Sequence, residues 1–327
     1  MWPNFSHIYI EEGAEKYPLT DVILSKFSNT FCVTVHHYKD IFNRPQQNFQ
    51  SQKRSMKLIL AVKKDNLVYD GSEFSQSMGH DNFYYNSMIL NCVYNCDYCY
   101  LQGMYGSANI VIFVNIGDFF SAVVEKLQKP MYLAISYDTD LLAFENVIPL
   151  CAQWIEFTRA QPNLTIEIRT KSANFKSIKS LEPCDRTILA WTMSPDEVVE
   201  KYEKGTPPLR RRLEAAKEAI DEGWKVRVCF DPVIRIDHWK EYYSQCVQTV
   251  FEKLEAVKLY DVSSGVFRMN ADYLRKIRKQ RQDSDVLYYP YVFDKNAASY
   301  PETIKNEMNL FIQNLLLQYL PSTKVFI

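Results

Sequence analysis

The sequence predicts an α/β protein built on a partial (β/α)6 barrel, with a small mixed α/β region before it and an extension behind it. From about residue 84, short β-branched or aromatic runs alternate with longer amphipathic stretches, the pattern of βα units around a parallel sheet. Six such runs are present, too few for a closed eight-stranded barrel and enough for an open one. The 327 residues are 47% apolar and 24% charged, so a large core can form, and neither disorder nor a fibrous repeat is indicated.

Residues 1–80 read as the mixed N-terminal region, with strand-like runs at 31–35 and 58–62 between polar segments. Residues 81–270 carry the barrel, with strands at 86–90, 131–136, 165–170, 187–192, 225–231 and 261–267, and an extra run at 110–115 between the first two. The clearest helix follows Thr206, a candidate N-cap. Pro207 suits the first helical position, Leu209, Leu213, Ala216 and Ile220 share a face, and Gly223 is placed to end it. Residues 271–327 form a basic, aromatic and helical extension.

Reactive side chains of barrel-like sheets gather at the C-terminal ends of the strands. Here those ends are polar: Tyr137, Asp138, Thr139 and Asp140 after the second strand, Thr170 and Lys171 after the third, Thr192 and Ser194 after the fourth. Asp231 and Arg268 follow the fifth and sixth. The first strand runs directly into Cys92-Val93-Tyr94-Asn95-Cys96-Asp97-Tyr98-Cys99, a C-x3-C-x2-C spacing. Three thiolates on one short loop can hold three irons of a 4Fe-4S cubane and leave the fourth iron open to a small molecule. A structural zinc or an electron-transfer cluster normally needs a fourth close ligand, and Cys151, Cys184, Cys229 and Cys246 are scattered among other segments.

No apolar run reaches the roughly 18–20 residues that cross a bilayer, and the start lacks a signal-peptide pattern, so the expectation is a cytoplasmic protein with no membrane partner. Eight cysteines then read as thiols or metal ligands in a reducing compartment. The net charge of -1 gives no global reason to expect nucleic acid.

The cysteine spacing, with the aromatic Tyr98 before its third cysteine, is shared by radical S-adenosylmethionine enzymes. Its continuation Cys99-Tyr100-Leu101-Gln102 resembles the spore photoproduct lyase family more narrowly. So do Trp191-Thr192-Met193-Ser194-Pro195, Glu203-Lys204-Gly205-Thr206-Pro207-Pro208-Leu209, Arg212-Leu213-Glu214-Ala215-Ala216 and Phe230-Asp231-Pro232-Val233-Ile234. The resemblance runs from about residue 17 to the C-terminus and is weak in the first 80 and last 60 residues. It implies a barrel of the radical S-adenosylmethionine type and a lyase that reverses the thymine-thymine photoproduct of DNA through a 5'-deoxyadenosyl radical. It implies that Cys92, Cys96 and Cys99 ligate a 4Fe-4S cluster, that Thr139, Lys171 and Thr192 line the S-adenosylmethionine pocket, and that a reducing donor such as ferredoxin or flavodoxin supplies electrons. The family's cysteine after the second barrel strand, in a Ser-Cys-Thr-Ser-Asp context, is replaced here: the stretch is Ser136-Tyr137-Asp138-Thr139-Asp140. Tyr98, Tyr100, Tyr137 and Cys229 are therefore the candidates for returning a hydrogen atom. The departure also leaves open a radical enzyme acting on another substrate, beside a non-catalytic iron-sulfur protein that binds nucleic acid.

A lesion inside duplex DNA must leave the stack before a radical reaches it, which calls for a basic surface. Arg275, Lys276, Arg278, Lys279 and Arg281, followed by Tyr288, Tyr289, Tyr291 and Phe293, are the expected one. Arg210, Arg211 and Arg212 form a second cluster, which at a helix start faces an unfavourable dipole unless an anion lies nearby.

Overall fold

The computed structural model describes residues 5–72 and 75–327. Its larger sheet has eight strands in the order Val325–Phe326, Asp261–Val266, Lys225–Val233, Thr187–Thr192, Leu164–Thr170, Met131–Ala134, Phe83–Tyr85, Tyr69–Asp70. Every pairing is parallel except the last. Six of the parallel strands, from Phe83–Tyr85 to Asp261–Val266 in chain order, form the curled half-barrel. All residues of Met131–Ala134, Thr187–Thr192 and Asp261–Val266 are buried, as expected of parallel strands covered on both faces. Helices Leu150–Arg159, Leu209–Asp221 and Glu302–Leu316 pack on the outside of the barrel sheet.

The second sheet runs Phe31–Val35, His7–Glu11, Leu58–Ala61, Ile110–Phe113, Ile89–Leu90, parallel until its last pairing. Two expectations are corrected here. The first barrel strand is Phe83–Tyr85, aligned with Tyr132–Ala134, rather than 86–90. Ile89–Leu90 instead turns into the second sheet against Ile110–Phe113, the run that had no assigned place in the barrel. The cause is that a short buried apolar run satisfies either sheet equally, and periodicity does not say which. One apolar core continues across both sheets, from Ile8 and Leu60 through Ile112 to Leu133, Trp154 and Trp191.

The helix after residue 206 begins at Leu209, with Pro208 rather than Thr206 at its N-cap. The Thr206 hydroxyl donates to Glu203 O at 2.8 Å, and the Asp196 carboxylate accepts the Leu209 N–H at 3.1 Å. Gly223 ends the helix in the left-handed region (φ 91°), with Trp224 N–H donating back to Ala219 O. Beyond the sixth barrel strand, Arg268–Asn270, Val292–Asp294 and Ala297–Ser299 form a small antiparallel sheet. Asn270 caps the helix Ala271–Gln280 by accepting from Asp272 N and Tyr273 N. Among the described residues, no helix is long and apolar enough to cross a membrane.

Candidate active site

The cysteine loop is built by its neighbours on both sides. It starts at Asn91, a buried residue with φ 70° whose side-chain amide donates to Ser107 O and Asn109 O at 2.7 and 2.8 Å. Asparagine tolerates that left-handed conformation better than a bulky residue. Asn95–Cys96 then pairs antiparallel with Glu203–Lys204, and Asp97 N–H donates to Tyr202 O at 2.7 Å. On the other side the Arg281 guanidinium reaches Asp97 Oδ1 at 2.7 Å, Gln102 Oε1 at 2.5 Å and the Asn95 side chain. Ser284 Oγ donates to Asp97 Oδ2 at 2.7 Å, and Lys53 Nζ donates to Cys92 O.

The loop opens on a cavity of about 480 Å³ at the C-terminal ends of the barrel strands. Cys92, Cys96 and Cys99 line it, and so do Tyr98, Tyr100, Tyr137, Thr139, Lys171 and Thr192. Cys229 is fully buried on the same face of its strand as Arg227 and Asp231, beneath the residues that line the cavity. Among the described residues, no three His, Cys, Asp or Glu side chains gather tightly enough for a single metal ion. A tetrahedral zinc needs its sulfurs within about 4 Å of one another. A cubane gives each thiolate its own iron, and the three cavity-lining thiols supply three of its four ligands, whereas a structural zinc needs four.

Burial pushes the Cys92 thiol up to about 12, with Asp140 adding to it and Lys53 opposing. Cys96 and Cys99 are pushed up for the same reason, against Lys171 in both cases and Lys53 for Cys99. The free thiols are therefore protonated at neutral pH, and the thiolates form when a metal supplies the compensating charge.

Around the loop lies a second layer that the sequence did not reveal. Glu203 is fully buried, accepts from the Tyr98 hydroxyl and from Ser194 Oγ at 2.9 Å, and forms an ion pair with Arg212. Burial alone raises the Glu203 pKa, but Lys171 and Arg212 outweigh it and hold the carboxylate below its usual range. Burial likewise works to lower the Lys171 ammonium, and Glu203 with Cys96 raises it overall. Lys171 sits at the end of the third barrel strand with its N–H on Asp140 Oδ2 at 2.7 Å and its ammonium 5.7 Å from the Tyr98 ring centroid. The same Asp140 accepts from Thr170 Oγ1 and caps the helix Leu141–Phe144. Thr139 lines the cavity, and its buried Oγ1 has no hydrogen-bond partner among the described residues, which leaves it for a ligand.

Two basic expectations change. Arg212 is the buried partner of Glu203, the anion that its position at a helix start requires, while Arg210 and Arg211 pair with Glu214. Arg281 is buried in the cysteine-loop clasp. Arg275, Lys276 and Lys279 stay exposed, with Tyr288 and Phe293 exposed nearby. Arg278 is half-buried over Tyr288, and Tyr291 is buried with its hydroxyl on Val286 O.

Elsewhere on the cavity lining, Tyr100 donates to Tyr137 O at 2.8 Å and to Asp138 Oδ1 at 3.0 Å. Asp138 also accepts from Ser87 and from Tyr105, and burial raises its pKa against these donors. The inner part of the barrel holds an ion network. Arg227 donates to Glu167, Asp261 and the Tyr132 hydroxyl, while Arg169 and Arg268 both reach Asp231.

The comparisons with known proteins point the same way. A spore photoproduct lyase of Bacillus subtilis (strain 168) is 26% identical over 269 residues, covering 79% of this chain and 75% of that protein. One from Geobacillus sp. (strain Y412MC61) is 23% identical over 339 residues, covering 95% and 97%. A solved structure of spore photoproduct lyase complexed with dinucleoside spore photoproduct superposes with a TM-score of 0.84 at 19% identity, covering 99% of this chain and 98% of that one. A mutant of that enzyme with bound AdoMet and the same dinucleoside gives 0.85. The family model described as spore photoproduct lyase matches residues 3–282, which takes in the half-barrel, the cysteine loop and the Arg281 clasp, and the chain belongs to that family.

Proposed function

We propose that this protein reverses the thymine-thymine spore photoproduct in DNA by radical chemistry, using a 4Fe-4S cluster and S-adenosylmethionine. The observation that supports this reading is one cavity at the strand ends lined by the three motif cysteines together with Thr139, Lys171 and Thr192. The cluster, reduced and with S-adenosylmethionine bound, supplies the 5'-deoxyadenosyl radical. Cys92, Cys96 and Cys99 hold it. Lys171, kept protonated by Glu203, would pair with the carboxylate of S-adenosylmethionine, and the Thr139 hydroxyl would give it a hydrogen bond. Glu203 fixes the Tyr98 ring at the cavity wall through its hydroxyl. Division of labour follows the sequence segments: 81–270 carries the chemistry, and 271–327 both clasps the loop through Arg281 and presents Arg275, Lys276 and Lys279 to phosphates. A low-potential donor such as ferredoxin or flavodoxin and a reducing cytoplasm suit eight free cysteines.

The test is anaerobic reconstitution with iron and sulfide, reduction, and addition of S-adenosylmethionine with the photoproduct dinucleotide. Thymine products together with 5'-deoxyadenosine are expected. Formation of 5'-deoxyadenosine alone would move the protein to another substrate, and an intact cluster that yields neither would remove the enzymatic reading.

A further inference from the structure

The cysteine loop is touched by a cation that no carboxylate answers. Lys53 is the last residue of the helix Phe49–Lys53, in the N-terminal region. The cap of that helix and two of its side chains lock it against the loop and its continuation. Asn48 accepts from Ser51 N at 2.8 Å, Gln50 Nε2 donates to Gln102 Oε1 at 2.7 Å, and Gln52 Oε1 accepts from Ala108 N at 2.8 Å. Buried Phe49 anchors the first turn. The half-buried Lys53 side chain is thereby carried to the loop, where Nζ donates to Cys92 O and lies 3.5 Å from Met56 Sδ.

The other cations at the loop are matched. Asp97 meets Arg281 at 2.7 Å and Lys204 at 3.5 Å, Glu203 meets Arg212, and Glu203 also supports the charge of Lys171. Among the described residues, Lys53 has no ion-pair partner. Burial works to lower its pKa, with Arg281 adding to this, and Cys92, Cys99 and Cys96 are the groups that oppose it. An ammonium drawn out of water is costly without a counter-ion, so its place here calls for an anion. Three thiolates give a 4Fe-4S centre a net negative charge, and that charge grows by one unit on reduction.

We propose that Lys53 is a positioning residue for the electron that the cluster takes up: its ammonium, held beside the cysteine loop by the N-terminal region, is the counter-charge that favours the reduced state. This rests on the iron-sulfur reading above. One electron comes from the low-potential donor, no proton moves, and Lys53 stays an ammonium throughout. Attraction to a fixed cation is larger for the more negative of the two states, so the cation raises the reduction potential.

The experiment is a redox titration of the reconstituted full chain, read from the EPR signal of the reduced cluster and needing no substrate. Lys53→Met removes the charge at similar length, Lys53→Gln removes it and leaves a donor for Cys92 O, and Lys53→Arg keeps it. Both neutral variants should lower the ratio of reduced to oxidised cluster at a fixed potential about tenfold, a negative shift of about 59 mV for one electron. Lys53→Arg should stay near the unsubstituted protein. Lys53→Gln carries the test should Lys53→Met fail to fold. A neutral variant that binds iron and sulfide in full and keeps the original midpoint overturns the inference alone. So does one that folds and binds none, which would make Lys53 an assembly residue. An unsubstituted protein that assembles no cluster overturns the iron-sulfur reading and the inference with it.

Discussion

Glu203 neutralises Arg212, holds the hydroxyls of Tyr98 and Ser194, and pairs its own backbone with Cys96, so one side chain and its peptide unit brace the cysteine loop from several directions. In Glu203→Gln the Arg212 charge is left buried without a counter-ion, a cost of about 3–5 kcal/mol, read from urea unfolding of the metal-free protein. Cys96→Ala is a sharper test of the ligand set: iron and sulfide per chain should fall and the visible cluster absorbance disappear, while full cluster retention would exclude Cys96 as a ligand. The contrast between these residues shows what was legible. The cysteines could be found because their spacing is local. Glu203 could not, since Tyr98 lies 105 residues away from it and a Glu in a charged stretch reads as solvated. Tyr137 is visible as a candidate from its strand-end position, but its stack on Tyr85 is not, because apolar patterning puts the strand that carries Tyr85 a few residues too late.

At the scale of elements, the barrel strands are tied together by charge as well as by hydrogen bonds. Glu167 on Leu164–Thr170 meets Arg227 on Lys225–Val233, which meets Asp261 on Asp261–Val266. Burial raises Glu167, but Arg169 and Arg227 outweigh it and hold its pKa down to about 2, against an ordinary 4.5. The stability it adds is complete above about pH 4.5 and is lost as the pH falls toward 2. Glu167→Gln should therefore flatten the dependence of unfolding free energy on pH across that acid range, in denaturant titrations at several pH values. An equally steep profile in the variant would assign the acid sensitivity to other carboxylates. Strands of this kind were readable from their apolar runs. Membership of one sheet or the other at 86–90 and 110–113 was not, because it depends on partners distant in sequence.

For the whole molecule, the net charge of -1 hides a segregated surface. Arg275, Lys276 and Lys279 stand on the exposed side of one helix beside Phe293, whereas Arg212, Arg227 and Arg281 are spent inside. Replacing the three exposed cations by Gln should weaken DNA binding and lower the slope of log affinity against log salt by about 3, one unit for each phosphate no longer neutralised. An unchanged slope would place the DNA on another face. Composition could not separate these two groups of cations, because only the packing decides which of them meet water.

The clasp between Asp97 and Arg281 also sets a timetable. Its two halves are 184 residues apart in the chain. At ordinary rates of synthesis, the cysteines leave the ribosome about 10–40 s before the arginine that closes their loop has been made. During that interval the thiols have no finished nest. Loading of the proposed cluster would then wait for residue 281, and a product stalled before it would lack the arginine that closes the cysteine loop.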